Sequence, residues 1–197
     1  MMKDIIYKIT FYSEWHCGSG LTSGSDLDAL VVKDAEGFPY IPGKTIKGLL
    51  KEAAVEMIEL NSKDAEKSTF ITELFGYFDD EKADKSEIHT KGTAFFSNAV
   101  LSEDLRKQAK EHGLTNFFFR DMASTAIGDN GIAKKHSLRR METVIPCQLI
   151  ASVSGVDDKY AGDLEKTMQW VKRLGQNRHR GLGRCKFEIV KEEEAKI

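Results

Sequence analysis

The stretch GFPYIPGKTIKGLLKEAA, residues 37–54, decides how the rest of the chain is read. A phosphate-wrapping P-loop needs the spacing G-x-x-x-x-G-K-[ST], because its first glycine lets the loop fold round the phosphates. With Gly43, Lys44 and Thr45 as the end of that pattern, Phe38 falls where the first glycine belongs, and Gly37 is one residue out of register. Pro42 also removes an N–H that a phosphate cradle would use. The stretch is no ATPase loop. It reads instead as a helix beginning at Pro42 or Gly43, where a proline in the first turn loses nothing. Ile46, Leu49, Leu50, Ala53, Ala54 and Met57 then form an apolar face at helical spacing. Such a start offers free N–H groups and a positive dipole end, with Lys44, Thr45 and Lys47 as further donors. The same residues also suit an ordinary helix start with solvated lysines.

Around this helix, 197 residues suffice for one well-packed domain with an insertion, but not comfortably for two. Net charge is −2 and the pI is near 6.2, so the whole-molecule field does not advertise nucleic acid. The charge is segregated, however. Residues 51–88 and the tail KEEEAKI are acidic, whereas KKHSLRR (134–140) and VKRLGQNRHRGLGR (171–184) are strongly basic. That pattern is compatible with a local nucleic-acid footprint on an acidic protein. Cys17, Cys147 and Cys185 are scattered and lack C-x-x-C spacing, against both a disulfide framework and a structural zinc site. The N-terminus has no apolar leader segment and no stretch reaches the length of a membrane span, so a cytoplasmic protein without membrane partners is expected.

Along the chain, DIIYKITFYSEW (4–15) reads as a first strand and HCGSGLTSGSD as a glycine-serine loop. That loop does not satisfy G-x-G-x-x-G, so it is no dinucleotide site. LDALVVKD is a short strand and AEGFPYIPG a turn before the helix. Residues 60–90 read as a polar peripheral insertion around the apolar island FITELFGYF (70–78). GTAFFSNAVL (92–101) reads as a strand, and SEDLRKQAKEHG as a helix with Ser102 as N-cap and Gly113 beyond its C-terminus. Residues 117–146 form a hairpin turning at GDNG (128–131). CQLIASVSGV (147–156) is a strand, YAGDLEKTMQWVKRLG (160–175) an amphipathic helix ending at Gly175, and RCKFEIVKEE the last strand. Two split β-α-β units forming an antiparallel sheet with helices on one face give an α+β fold, ferredoxin-like or RRM-like.

RHRGLGRC (178–185) is the most unusual stretch. Gly181 and Gly183 permit close approach and positive φ, while Arg178, His179, Arg180 and Arg184 surround them. Arginine supplies a planar fork for phosphate oxygens; a solvated basic turn after a helix is the plainer alternative. This loop and the start of the 43–57 helix both make sense as grips on a sugar–phosphate backbone.

In order along the chain, HCGSG, LDALVVKDAEGFPYIPGKTIKGLLKEA, LFGYF with GTAFFSNAVL, GIAKKHSLRRMETVIPCQLIASVSG and NRHRGLGRCKFEI resemble the RAMP proteins of CRISPR systems. Within that family the chain is most similar to the repeated backbone subunits of type III (Csm/Cmr-like) effector complexes. The resemblance implies a single RAMP domain over 1–197, an RRM-like palm with an inserted β-hairpin thumb near 117–146. It implies head-to-tail copies along a guide RNA (crRNA), together with other effector subunits and a complementary target RNA. RNA-binding residues would be His16, Lys44, Thr45 and Lys47, then Lys134, Lys135, His136, Arg139 and Arg140 on the thumb, and Arg178, His179, Arg180, Gly181, Gly183 and Arg184 in the glycine-rich loop. Family members that cut target RNA do so with an aspartate in the loop before V-x-x-D, here Asp28, with Asp26 near enough to confuse the register. A carboxylate there can take a 2′-hydroxyl proton or hold a divalent ion, magnesium or manganese. Capping of the loop is the alternative role for Asp28. A silent structural subunit, a repeat-processing endonuclease using His16, and an unrelated RRM-like module are the competing readings. Phe117, Phe118 and Phe119 could stack bases or enter the core. Lys44 and Thr45 replace the family's usual small residues, and the chain is short for a backbone subunit.

Overall fold

The computed structural model describes residues 1–23, 27–60, 65–77 and 90–190. In chain order the elements are β1 (Met2–Phe11), α1 (Gly43–Leu60), α2 (Ala65–Phe75), β2 (Gly76–Tyr77), β3 (Thr90–Lys91), β4 (Phe95–Phe96) and α3 (Glu103–Glu111). There follow β5 (Phe119–Ser124), β6 (Arg139–Val144), β7 (Gln148–Asp157), α4 (Asp158–Trp170) and β8 (Cys185–Ile189).

Strict alternation in β1 buries Ile5, Tyr7, Ile9 and Phe11 and leaves Ile6, Lys8 and Thr10 half-exposed. That alternation makes it the centre of a four-stranded sheet ordered β4-β7-β1-β8, antiparallel throughout, with Ile9 opposite Leu149 on one side and Phe187 on the other. Numbered by chain order within the sheet, this is 2-3-1-4, with α1 between the first two strands and α4 between the last two. The arrangement is compatible with the ferredoxin-like split β-α-β pattern. Ile46, Leu50, Ala53 and Ala54 of α1 and Tyr160, Leu164 and Met168 of α4 complete the core over the sheet. β5 and β6 form a separate two-stranded hairpin, Phe119 opposite Val144 and Ser124 opposite Arg139. Its turn lies where the sequence places it, the Gly131 N–H donating to the Gly128 carbonyl at 2.9 Å.

Four expectations need correction. The 92–101 stretch is not one strand: β4 stops at Phe96, and pairing resumes only as bridges at Ala99 and Val100. Between them the Asn98 side chain turns away to accept the Gly43 N–H at 2.9 Å, capping α1 from another part of the chain. Gly43 is required there, since a Cβ would run into the Phe96 carbonyl. The island FITELFGYF does not lie at the periphery: Phe70, Leu74 and Phe75 are buried, most of it on α2. Residues 61–64 and 78–89 of that insertion, and Asp26, lie outside the described residues. The last helix stops at Trp170 rather than Gly175. Lys172, Arg173 and Leu174 instead pair with Gly183–Cys185, which satisfies their backbone groups in an extended form a helix would forbid. Ser102 occupies the N-cap of α3 but makes no side-chain cap bond, while Gly113 takes a left-handed φ of 65° beyond its C-terminus.

Candidate nucleic-acid interface

Five consecutive residues, Ser13 to Cys17, hold the functional parts together. Ser13 Oγ accepts the Arg184 N–H at 2.9 Å. The Glu14 carbonyl accepts the Gly183 N–H at 2.7 Å, and its carboxylate accepts from Arg120 and from the Thr143 hydroxyl. Trp15 pairs through its backbone with Val144 at the base of the hairpin. The His16 carbonyl accepts the Gln176 N–H, and the Cys17 carbonyl the Val32 N–H, both at 2.9 Å.

Opposite this segment stands Glu142, a buried carboxylate on β6 that the sequence reading missed. Its Oε2 accepts the Val31 N–H at 3.0 Å and its Oε1 the Lys33 ammonium at 2.7 Å. Its own N–H reaches the Ala29 carbonyl, and its carbonyl oxygen lies 2.6 Å from His16 Nδ1. Lys33 also sits 3.9 Å over the Phe119 ring. Nothing local in RRMETV marks Glu142 as a junction, because every partner lies over a hundred residues earlier in the chain.

Asp28 is exposed at this same root. Its N–H donates to the Arg140 carbonyl at 2.8 Å, and its Oδ2 accepts the Arg140 N–H at 2.8 Å. The loop-capping role weighed from the sequence is therefore present, with the hairpin as the thing capped. The second oxygen, Oδ1, has no partner among the described residues. The Arg140 guanidinium is taken by Asp121 at 3.0 Å. No cluster of three or more His, Cys, Asp or Glu that could hold a metal occurs among the described residues. One carboxylate oxygen still fits a hard divalent ion, provided that water and a phosphate supply the rest of its shell.

The glycine-rich loop is a short 3-10 turn, Arg178–Arg180, between left-handed Asn177 and Gly181. Gly183 also has positive φ, 70°, and is pressed against the Leu174 carbonyl, where no side chain fits. The Asn177 amide donates to Met141 Sδ at 3.1 Å, so the loop touches the hairpin directly. Arg178 and Thr45 line one cleft of about 330 Å³ with His16, Gly18 and Gln176. A second cleft of about 680 Å³ runs on from it past Arg178 and His179 to Trp170 and Glu56. Thus the helix start and the glycine-rich loop, 133 positions apart as Thr45 and Arg178, do face each other.

Other predicted residues fall differently. The start of α1 is not a crown of free donors: Gly43 donates to Asn98, and Thr45 and Ile46 donate to the Pro42 carbonyl. Any grip there falls to side chains. Lys44 is exposed, while Lys47 turns elsewhere; burial, then repulsion from Lys51 and Lys91, holds its ammonium below the usual lysine range. Thr45 bonds the Cys17 thiol, whose burial pushes it up more than that bond lowers it. His16 is fully buried, not a surface histidine. Lys134, Lys135 and His136 are exposed on the hairpin tip beside Ile127, Ile132 and Leu138, and Arg139 and Arg140 are exposed on β6. Arg180 and Gly181 are exposed, and the Arg184 guanidinium lies 5.9 Å from the Tyr12 ring centre. Phe118 is core, Phe119 is half-buried, and Phe117 is exposed.

The sequence model of the RAMP superfamily matches residues 8–186. No curated protein matches the sequence. Among solved structures, a chain in the cryo-EM structure of the Type III-B Cmr-beta bound to cognate target RNA superposes with a TM-score of 0.72 at 12% identity, covering 96% of this chain and 98% of that one. A chain in the apo-state structure of Type III-B Cmr-beta gives 0.68 at 12% identity with the same coverage. At that identity the likeness is one of fold. No described helix is long and apolar enough to cross a membrane.

Proposed function

The chain belongs to the RAMP superfamily, and from that premise we propose that it is a guide-RNA-binding backbone subunit of a type III CRISPR effector complex. Copies stack head to tail along the guide with other effector subunits, and the complex cuts complementary target RNA in antiviral defence. The observation that carries this reading is the shared cleft of Thr45 and Arg178, continued by the Asn177–Met141 contact to the hairpin root where Asp28 stands. A guide backbone lying over Arg178 would reach the hairpin within a few nucleotides, and the exposed basic tip would then meet the target strand.

Cleavage follows from Asp28. With a target nucleotide splayed at the hairpin root, Oδ1 takes the 2′-hydroxyl proton. The 2′-oxygen forms a bond to the adjacent phosphorus, and the 5′-oxygen of the next nucleotide leaves with a proton from water. The products are a 2′,3′-cyclic phosphate and a 5′-hydroxyl. In the alternative role, Asp28 Oδ1 would instead hold a magnesium or manganese ion shared with the RNA, and such an ion would supply Lewis-acid neutralisation of phosphoryl charge.

A silent structural subunit is the second reading, favoured by the commitment of Asp28 Oδ2 to the Arg140 N–H. The test uses protein assembled on guide RNA with its partner subunits and a labelled complementary RNA, with and without divalent metal. Asp28→Asn keeps an acceptor for Arg140 and removes the charge, so it separates chemistry from capping better than Asp28→Ala. Regularly spaced products lost in Asp28→Asn, with assembly intact, establish the nuclease. Products unchanged in Asp28→Asn remove Asp28 from the chemistry, and tight binding without any product leaves the structural subunit.

A further inference from the structure

Three buried ring side chains carry an unpaired polar atom among the described residues, Tyr7, Trp15 and His16, and of these His16 lines the cleft described above. It is fully buried, and Nδ1 lies 2.6 Å from the Glu142 carbonyl oxygen. A carbonyl only accepts, so Nδ1 carries the proton, and in the neutral ring Nε2 presents a lone pair. That Nε2 is buried without any hydrogen-bond partner. Buried polar atoms are nearly always paired, so an orphan that lines a cleft points to a missing donor. The cleft is the one shared by Thr45, Gln176 and Arg178. A Cβ on Gly18 would stand 3.2 Å from His16 Nε2 and equally 3.2 Å from the Gln176 amide nitrogen. The ring edge is therefore covered by an exposed, flexible glutamine on one side and by a residue without a side chain on the other. Moving Gln176 opens it.

Resting on the RNA-binding reading above, we propose that His16 reads ribose: Nε2 accepts a hydrogen bond from an RNA 2′-hydroxyl whose neighbouring phosphate lies on Arg178. The chemistry selects this ligand. The missing group must donate, as a hydroxyl does and a phosphate or ether oxygen does not. Arg178 has no salt-bridge partner among the described residues, so an anion beside the donor is accommodated. Glu52 lines the same cleft and repels a phosphate near it, which places the anion on the Arg178 side. A hydroxyl one sugar carbon from a phosphate-bearing oxygen is what distinguishes RNA from DNA. Gly18 then has a role of its own, as the gap through which the sugar edge approaches.

The test is competition binding of single strands of one sequence as RNA, DNA and 2′-fluoro RNA, the last keeping an RNA-like sugar but unable to donate. Wild type is expected to bind RNA roughly threefold to tenfold more tightly than either analogue, the range of one net hydrogen bond. His16→Asn can retain an N–H for the Glu142 carbonyl, but its one acceptor, Oδ1, stops short of the place of Nε2, and it is expected to bind all three strands alike. Gly18→Ala is expected to lose the preference with His16 untouched. Wild-type binding of 2′-fluoro RNA as tight as that of RNA overturns the assignment even where His16→Asn does not fold. A preference retained in folded His16→Asn overturns it too. Failure of wild type to bind any strand at low salt would instead refute the RNA-binding reading beneath it.

Discussion

Glu142→Ala is expected to loosen the hairpin without touching any group that faces nucleic acid. The side chain is 9% exposed and holds two donors, the Val31 N–H at 3.0 Å and the Lys33 ammonium at 2.7 Å. Hydrogen bonds to a charged group contribute roughly 1.5–3 kcal/mol each. Val31 is 2% exposed, so its N–H would stay dry and unpaired, whereas Lys33 keeps 35% of its side chain in water and can resolvate. The net loss is therefore about 2–4 kcal/mol, below the sum of the two bonds. In a chain of this length that lowers the thermal midpoint by roughly 5–15 °C. Glu142→Gln keeps an acceptor for Val31 but loses both the charge and the acceptor facing half-solvated Lys33, which water can replace, at a cost of about 1 kcal/mol. Calorimetry on both variants, with limited proteolysis of the 125–138 tip, reads the difference. A Glu142→Ala midpoint within a degree of wild type would refute the junction, and so would a Glu142→Gln as damaged as the alanine variant.

Two glycines of one loop should respond very differently to alanine. Gly181, with φ 93° but open space around it, should lose only the left-handed penalty of about 1–2 kcal/mol. Gly183 adds a collision with the Leu174 carbonyl and breaks the 2.9 Å bond from the Leu174 N–H, so Gly183→Ala should lose at least twice as much in denaturant unfolding; equal losses would refute the packing. Acid should also weaken the fold. Glu36 accepts from Lys110 and Arg106, which hold its carboxyl below the ordinary range. A depressed folded value means that its contribution is whole above the unfolded value of about 4.3 and is lost as pH falls through the folded one. Glu36→Gln should therefore flatten the fall in thermal midpoint below about pH 4, and an unchanged acid limb would discard the clasp.

What the sequence made legible was whatever depends on short spacing. The alternation in β1, the helical face from Ile46 to Ala54, the turn at Gly128–Gly131 and the glycines of the basic loop all stand where local chemistry puts them. What escaped depends on partners distant in the chain. Asn98 caps α1 across 55 positions and thereby breaks a strand that its own neighbours would have continued. Residues 172–174 leave the helix because Gly183–Cys185 offer them extended partners, although the apolar spacing of Val171 and Leu174 is that of a helix face. Glu142 looks like one more charge on an exposed strand until Val31 and Lys33 close over it.

The same long-range closure ties the glycine-rich loop to the hairpin. Ser13 and Glu14 take backbone N–H groups from the glycine-rich loop, while Glu14, Trp15 and His16 take the hairpin through Arg120, Val144 and Glu142. Glu14 and His16 are each bonded on both sides, to the glycine-rich loop and to the hairpin, so this short segment links the two. The hairpin root, where Asp28 stands, and the loop that carries Arg178 are thus anchored on the same few residues. Sequence distance hides the coupling, since the two parts it joins lie near positions 140 and 180 and their common anchor near position 15.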